Sequence, residues 1–118
     1  MDWVDYMTRF KDDIRVLNRT LPGTTRAFGA LSKSVRDSGV LDVKIKEYIA
    51  LAIATVQGCT PCIGYHAEIL AKLGAPREEV VDALAMAIQM GGGPALMEAA
   101  DALAAFDQFV AARSSSAA

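Results

Sequence analysis

Both cysteines of the chain and its only histidine fall within eight consecutive residues, Cys59-Thr60-Pro61-Cys62-Ile63-Gly64-Tyr65-His66. Two thiols separated by two residues can close a disulfide, bind a metal, or cycle between thiol and disulfide during turnover. A loop that small constrains the unfolded chain by only ~2 kcal/mol on the loop-entropy account, so stability alone is a poor reason for the pair. Thiol chemistry needs the thiolate, and a helix N-terminus, a CxxC pair and a nearby imidazole all favour it. Glu47 is the other unusual residue. Its neighbours at helical spacing are Val43, Ala50, Leu51 and Ala54, an apolar and mostly small set, so its carboxyl must either be hydrogen-bonded or hold its proton more tightly than usual.

The elements that must position these groups are helical. Period-two alternation is absent, alanine and leucine dominate the apolar positions, and glycine and proline punctuate the chain regularly. The spacing predicts helices over about Trp3–Asn18, Thr24–Asp37, Val43–Gln57, Thr60–Leu73, Pro76 to the Gly91-Gly92-Gly93 turn, and Pro94–Ala112. Asp42 is suited to cap the third helix, Gly58 to stop it, and Pro61 to open the fourth. The expectation is an all-α protein of about six helices, with one domain over residues 1–113 and a disordered Ser/Ala tail over 114–118.

On the fourth helix Cys62 sits in the first turn and His66 lies four residues on, so Cys59, Cys62 and His66 project to one side. Gly58 directly precedes the cysteines, which predicts that helices three and four fold back on one another and that Glu47 approaches His66 as its proton partner, with room for a water between them. A bridge between residues i and i+3 requires the first turn to depart from regular helix geometry.

Composition bounds the rest. The chain has 118 residues and a net charge of −2 with acids and bases interspersed, which argues against nucleic acid and against a polybasic membrane patch. Its start shows no basic region followed by an apolar stretch, and its longest apolar run, Tyr48 to Val56, is too short to span a bilayer. A cytoplasmic protein is therefore expected, with no membrane partner. Apolar residues make up 53% of the chain, above the usual range for so short a domain, and oligomerisation is the natural outlet. Tyr48, Ile49, Leu51, Ile53 and Val56 cover most of helix three, which predicts burial on nearly all sides. Leu96, Met97, Leu103, Phe106, Phe109 and Val110 do the same for helix six and point to a subunit interface.

Taken together, Glu47, eleven intervening residues, then Cys59-x-x-Cys62-x-x-x-His66 resembles the signature of the AhpD-like alkylhydroperoxidases of the carboxymuconolactone decarboxylase superfamily. Lys44-Ile45-Lys46-Glu47-Tyr48-Ile49-Ala50-Leu51-Ala52 and the later Gly91-Gly92-Gly93-Pro94 add to the likeness, which covers about Leu41 to Phe109. The resemblance implies an all-α fold assembled as a homotrimer or homohexamer, and a peroxidase-type oxidoreductase that needs no cofactor and no metal. By the same resemblance Cys62 is the peroxidatic thiol, Cys59 resolves its sulfenic acid to a disulfide, and His66 with Glu47 relays the proton. The substrate is then a hydroperoxide or disulfide, with a thiol reductant of unspecified identity. Pro61 stands where some members carry a further histidine.

Other readings of the same residues are a decarboxylase-like, non-redox enzyme and a non-catalytic oligomeric or metal-binding module. Cys59, Cys62, His66 and Glu47 could supply four zinc ligands, although structural zinc more often uses two separated pairs. Glu47 could instead pair with Lys44 or Lys46 at the surface. Met86, Met90 and Met97 read as core or interface filler, the triple glycine as a turn, Tyr65 as a packing group or hydrogen-bond donor, and Trp3 as a cap over a groove or interface.

Overall fold

The computed structural model describes residues 1–117, with side chains through residue 115. Six helices follow in order: α1 (Trp3–Thr20), α2 (Pro22–Arg36), α3 (Val43–Gln57), α4 (Thr60–Lys72), α5 (Arg77–Gly91) and α6 (Gly93–Ala117). No strand occurs among the described residues. The punctuation acts largely as its chemistry dictates. Asp42 caps α3 by accepting from the Ile45 amide at 3.0 Å, satisfying one of the orphan donors of the first turn. α2 starts at Pro22 rather than at the expected Thr24, because Pro22 takes its first helical position, where a missing N–H costs nothing. At the other end α6 passes the expected stop near Ala112 and continues into the Ser/Ala tail, since no glycine or proline intervenes and alanine is the best helix former. Ala118 of that tail lies outside the described residues.

α6 is the central helix. It packs most extensively on α4 and buries Ala95, Ala99, Ala102, Ala105, Phe106 and Phe109, a row of small side chains that permits close helix approach. Trp3 is not a cap over a groove: it is buried in the core with Met7, and its backbone N–H donates to Gln108 Oε1 of α6 at 2.7 Å. Gly64 makes that arrangement possible. A Cβ there would lie 2.5 Å from the Met7 sulfur, so glycine is what lets α1 close onto α4.

Helix three departs from expectation. It buries Leu51, Ala54 and Thr55, but Ile49, Ile53 and Val56 are roughly half exposed. Five apolar side chains spread around a helix require neighbours on every side, and one short chain supplies α3 with neighbours on only part of its circumference. α6 lies at the centre through its alanines, Phe106 and Phe109, while its Leu96, Met97 and Val110 stay exposed, as do Met86 and Met90 of α5.

Polar links lock the helices together. The Tyr48 hydroxyl donates to Glu79 Oε1 at 2.6 Å, and Lys44 Nζ lies 3.2 Å from the same oxygen, joining α3 to α5. Burial first, and then the neighbouring carboxylate, push the Tyr48 hydroxyl well above the ordinary phenol range. The hydrogen bond from Tyr48, followed by that from Lys44, holds the Glu79 carboxyl below its usual value. Arg77 grips Asp107 with two parallel bonds of 2.9 and 3.1 Å, tying α5 to α6. Lys11 Nζ reaches Glu68 at 2.6 Å across α1 and α4.

Candidate active site

The connection between α3 and α4 is as short as two helices allow. Gly58 adopts the left-handed conformation, φ 67° and ψ 32°, which glycine enters without steric penalty. Its N–H donates to Thr55 O at 3.2 Å and the Cys59 N–H to Ala54 O at 3.1 Å, the paired bonds of a Schellman ending. Cys59 is then at once the residue after the cap of α3 and the N-cap of α4. The chain reverses within Gly58-Cys59, so the register of Glu47 against His66 and the placement of the cysteines follow from one local motif.

That motif also sets the thiol geometry. Cys59 stands outside the helix in an extended conformation, φ −91° and ψ 97°, and its Cα lies 5.2 Å from that of Cys62, within disulfide range. The two are joined by a disulfide. Because Cys59 stands outside the helix, the pair departs from regular i, i+3 helix geometry, as such a bridge requires. Cys62 occupies the first turn of α4, partly buried against the core.

Glu47 and His66 meet directly. Glu47 Oε2 lies 2.6 Å from His66 Nδ1, with no water between them, and the two side chains are only 12% and 24% exposed. The alternative partners of Glu47 are engaged elsewhere. Lys44 pairs with Glu79, and Lys46 Nζ donates to Val35 O at 2.6 Å and to Ser38 O. An ionised Glu47 accepts the Nδ1–H of a neutral imidazole and leaves Nε2 as the lone-pair nitrogen, the tautomer that can take up a proton. Tyr65 packs edge-on to the imidazole with ring centroids 5.1 Å apart, which restricts its swing. The site therefore gathers Glu47, Cys59, Cys62 and His66 on one helical hairpin. Among the described residues, no group of three or more His, Cys, Asp or Glu side chains is disposed to hold a metal ion.

Two cavities flank the imidazole. One, of about 460 Å³, is lined by Cys62, Pro61, Tyr65 and His66 together with Met7, Phe10 and Phe28. The other, of about 300 Å³, has Glu47, Tyr65 and His66 on one side and Leu31, Val35 and Arg36 of α2 on the other. Ser32 lines both. The involvement of α2 was not evident in the sequence. Phe28, Leu31 and Val35 lie on one side of α2, and packing on the core would hide them, but they stay 67%, 57% and 57% exposed.

Comparison with known proteins agrees with this architecture. The sequence pattern of the Carboxymuconolactone decarboxylase family matches residues 22–105, and the chain belongs to that family. It is 36% identical over 101 residues to an uncharacterized protein of Cupriavidus necator, covering 86% of this chain and 89% of the relative. It is 40% identical over 82 residues to an uncharacterized protein of the cox locus of Paracoccus denitrificans, covering 70% and 74%. A crystal structure of a carboxymuconolactone decarboxylase family protein from Legionella pneumophila superposes with a TM-score of 0.88 at 39% identity, covering 92% of this chain and 96% of that one. A second, from Thermotoga maritima, gives a TM-score of 0.80 at 30% identity over 92% and 95%. No helix among the described residues is long and apolar enough to cross a membrane.

Proposed function

We propose that the protein is a thiol peroxidase: its CxxC pair reduces organic hydroperoxides, with Glu47 and His66 relaying the proton. The observation that carries this reading is the 2.6 Å Glu47–His66 contact one turn beyond a cysteine pair that closes a disulfide, with Cys62 and His66 lining one cavity. The Thermotoga maritima relative is one “possibly involved in antioxidative response”, which accords with this reading.

Starting from the dithiol, His66 Nε2 accepts the Cys62 proton while Glu47 stabilises the resulting imidazolium. The Cys62 thiolate attacks the terminal peroxide oxygen, an S–O bond forms, and the O–O bond breaks. The departing alkoxide takes the proton back from His66 and leaves as the alcohol. Cys62 is now a sulfenic acid. The Cys59 sulfur attacks it, the S–O bond breaks, water leaves, and the disulfide closes. Two electrons have passed from the thiols to the peroxide, and an external dithiol restores the reduced pair by exchange.

Free thiols counted before and after one equivalent of alkyl hydroperoxide test this. Loss of both thiols per chain, abolished by Cys62→Ser, is expected. Retention of both thiols while the peroxide persists rejects the reading.

Assembly as a homotrimer or homohexamer fits the exposed apolar face, where Ile53, Val56, Met86 and Met90 line a groove of about 370 Å³ between α3 and α5. Packing against neighbouring copies would take these apolar side chains out of water. Light scattering is expected to give three or six times the chain mass, and a monomer or dimer mass rejects the assembly.

A further inference from the structure

The cavity between α2 and the Glu47–His66 pair carries a charge that the peroxidase chemistry does not use. Its wall is apolar, with Leu31, Val35, Ala50 and Ile69, and its charged lining residues are Glu47, Lys46 and Arg36. Glu47 is engaged by His66. Lys46 is engaged by the backbone carbonyls of Val35 and Ser38, where it holds the C-terminal end of α2. Arg36 is different. Its acidic neighbour Asp37 stands 3.4 Å from Nε, whereas Lys33 grips the same carboxylate at 2.7 Å. Two cations share one exposed acid, and Lys33 is the first cause of the lowered Asp37 carboxyl. The guanidinium fork of Arg36, with five donors in a plane, keeps most of its hydrogen-bonding capacity for a ligand.

We infer that Arg36 anchors the carboxylate of the substrate, and that the substrate is a hydroperoxide whose hydrocarbon chain ends in that carboxylate. A guanidinium beside an apolar wall favours a ligand with the same polarity, an anionic end on a hydrocarbon body. The two cavities share Ser32, Tyr65 and His66, so one chain can run from Arg36 along Leu31 and Val35, pass the imidazole, and present its peroxide to Cys62. Volumes of about 300 and 460 Å³ lie in the range of small-molecule sites. The reactive end of this inference rests on the peroxidase reading, with its balance unchanged: the O–O bond breaks, a hydroxy acid and water leave, and the two thiols become one disulfide that an external dithiol reduces. The acid end rests on Arg36.

Linoleic acid hydroperoxide and its methyl ester differ only in the charge that Arg36 would read. With the reduced protein and dithiothreitol as donor, the acid is expected to show a KM about tenfold below that of the ester, as a charge-assisted pair supplies. Arg36→Gln is expected to raise the acid's KM to that of the ester while kcat for the acid is retained. Equal KM values for acid and ester in the unmodified protein, or an equal rise for both in Arg36→Gln, overturn the inference. Calorimetric binding of hydroxylinoleate, the product, and of its methyl ester separates the two readings. If neither hydroperoxide oxidises the thiols but the acid alone binds, and Arg36→Gln abolishes that binding, the peroxidase reading fails and the carboxylate site stands. If neither product binds, or both bind alike, the carboxylate site fails whatever the thiols do.

Discussion

α4 and α2 both face the same cavities, and they are built on opposite terms. α4 buries Ile63, Gly64, Ala67, Leu70 and Ala71, packs on α6, α3 and α1, and carries Cys62 and His66. α2 buries none of its residues, packs chiefly on α1, and is tied at its far end by Lys46 of α3. The first is a buried floor that fixes the positions of Cys62 and His66. The second is a cover whose apolar stripe faces the cavities without filling them. Under the proposed function, chemistry that depends on tenths of an ångström would sit on the floor, and ligand selection would fall to the cover.

Substitutions at the two helices should separate these roles. The largest effect is expected from His66→Ala, which removes the proton acceptor and should lower the rate of peroxide-driven thiol oxidation at neutral pH by about 10²–10⁴-fold. Phe28→Ala on the cover should instead change KM with little loss of kcat. Stopped-flow thiol oxidation reads both, and equal losses of kcat would erase the distinction between floor and cover. Stability should divide the same way. Leu70→Ala leaves a cavity in a fully buried position and should cost about 2–5 kcal/mol in denaturant unfolding. Leu31→Ala, on the exposed stripe of α2, should stay within about 0.5 kcal/mol. A cost at Leu31 matching that at Leu70 would mean that α2 is part of the folded core.

Much of the floor was legible in the residues. Asp42 and Gly58 mark helix ends by backbone chemistry that acts locally, and Val43–Gln57 follows directly from them. The Gly58-Cys59 reversal is local too, which is why the approach of Glu47 to His66 could be anticipated from spacing. The cover was not legible, because an amphipathic stripe specifies that a helix has an apolar side and says nothing about how closely a neighbour approaches it. The same limit applies to α3 and α6: both are apolar over most of their circumference, and only the packing buries Phe106 and Phe109 of α6 and leaves Ile49, Ile53 and Val56 of α3 half exposed.

By itself the sequence determined the helices, their caps, the all-α class, and the line of Glu47, Cys59, Cys62 and His66, because hydrogen bonds and helical periodicity act over a few residues. Tertiary structure alone decided that Glu47 meets the imidazole without a bridging water, that Trp3 lies in the core, and that Arg36 looks into the cavity beside His66. Those outcomes depend on distances between helices, which the volumes of facing side chains set and which no spacing along one chain encodes.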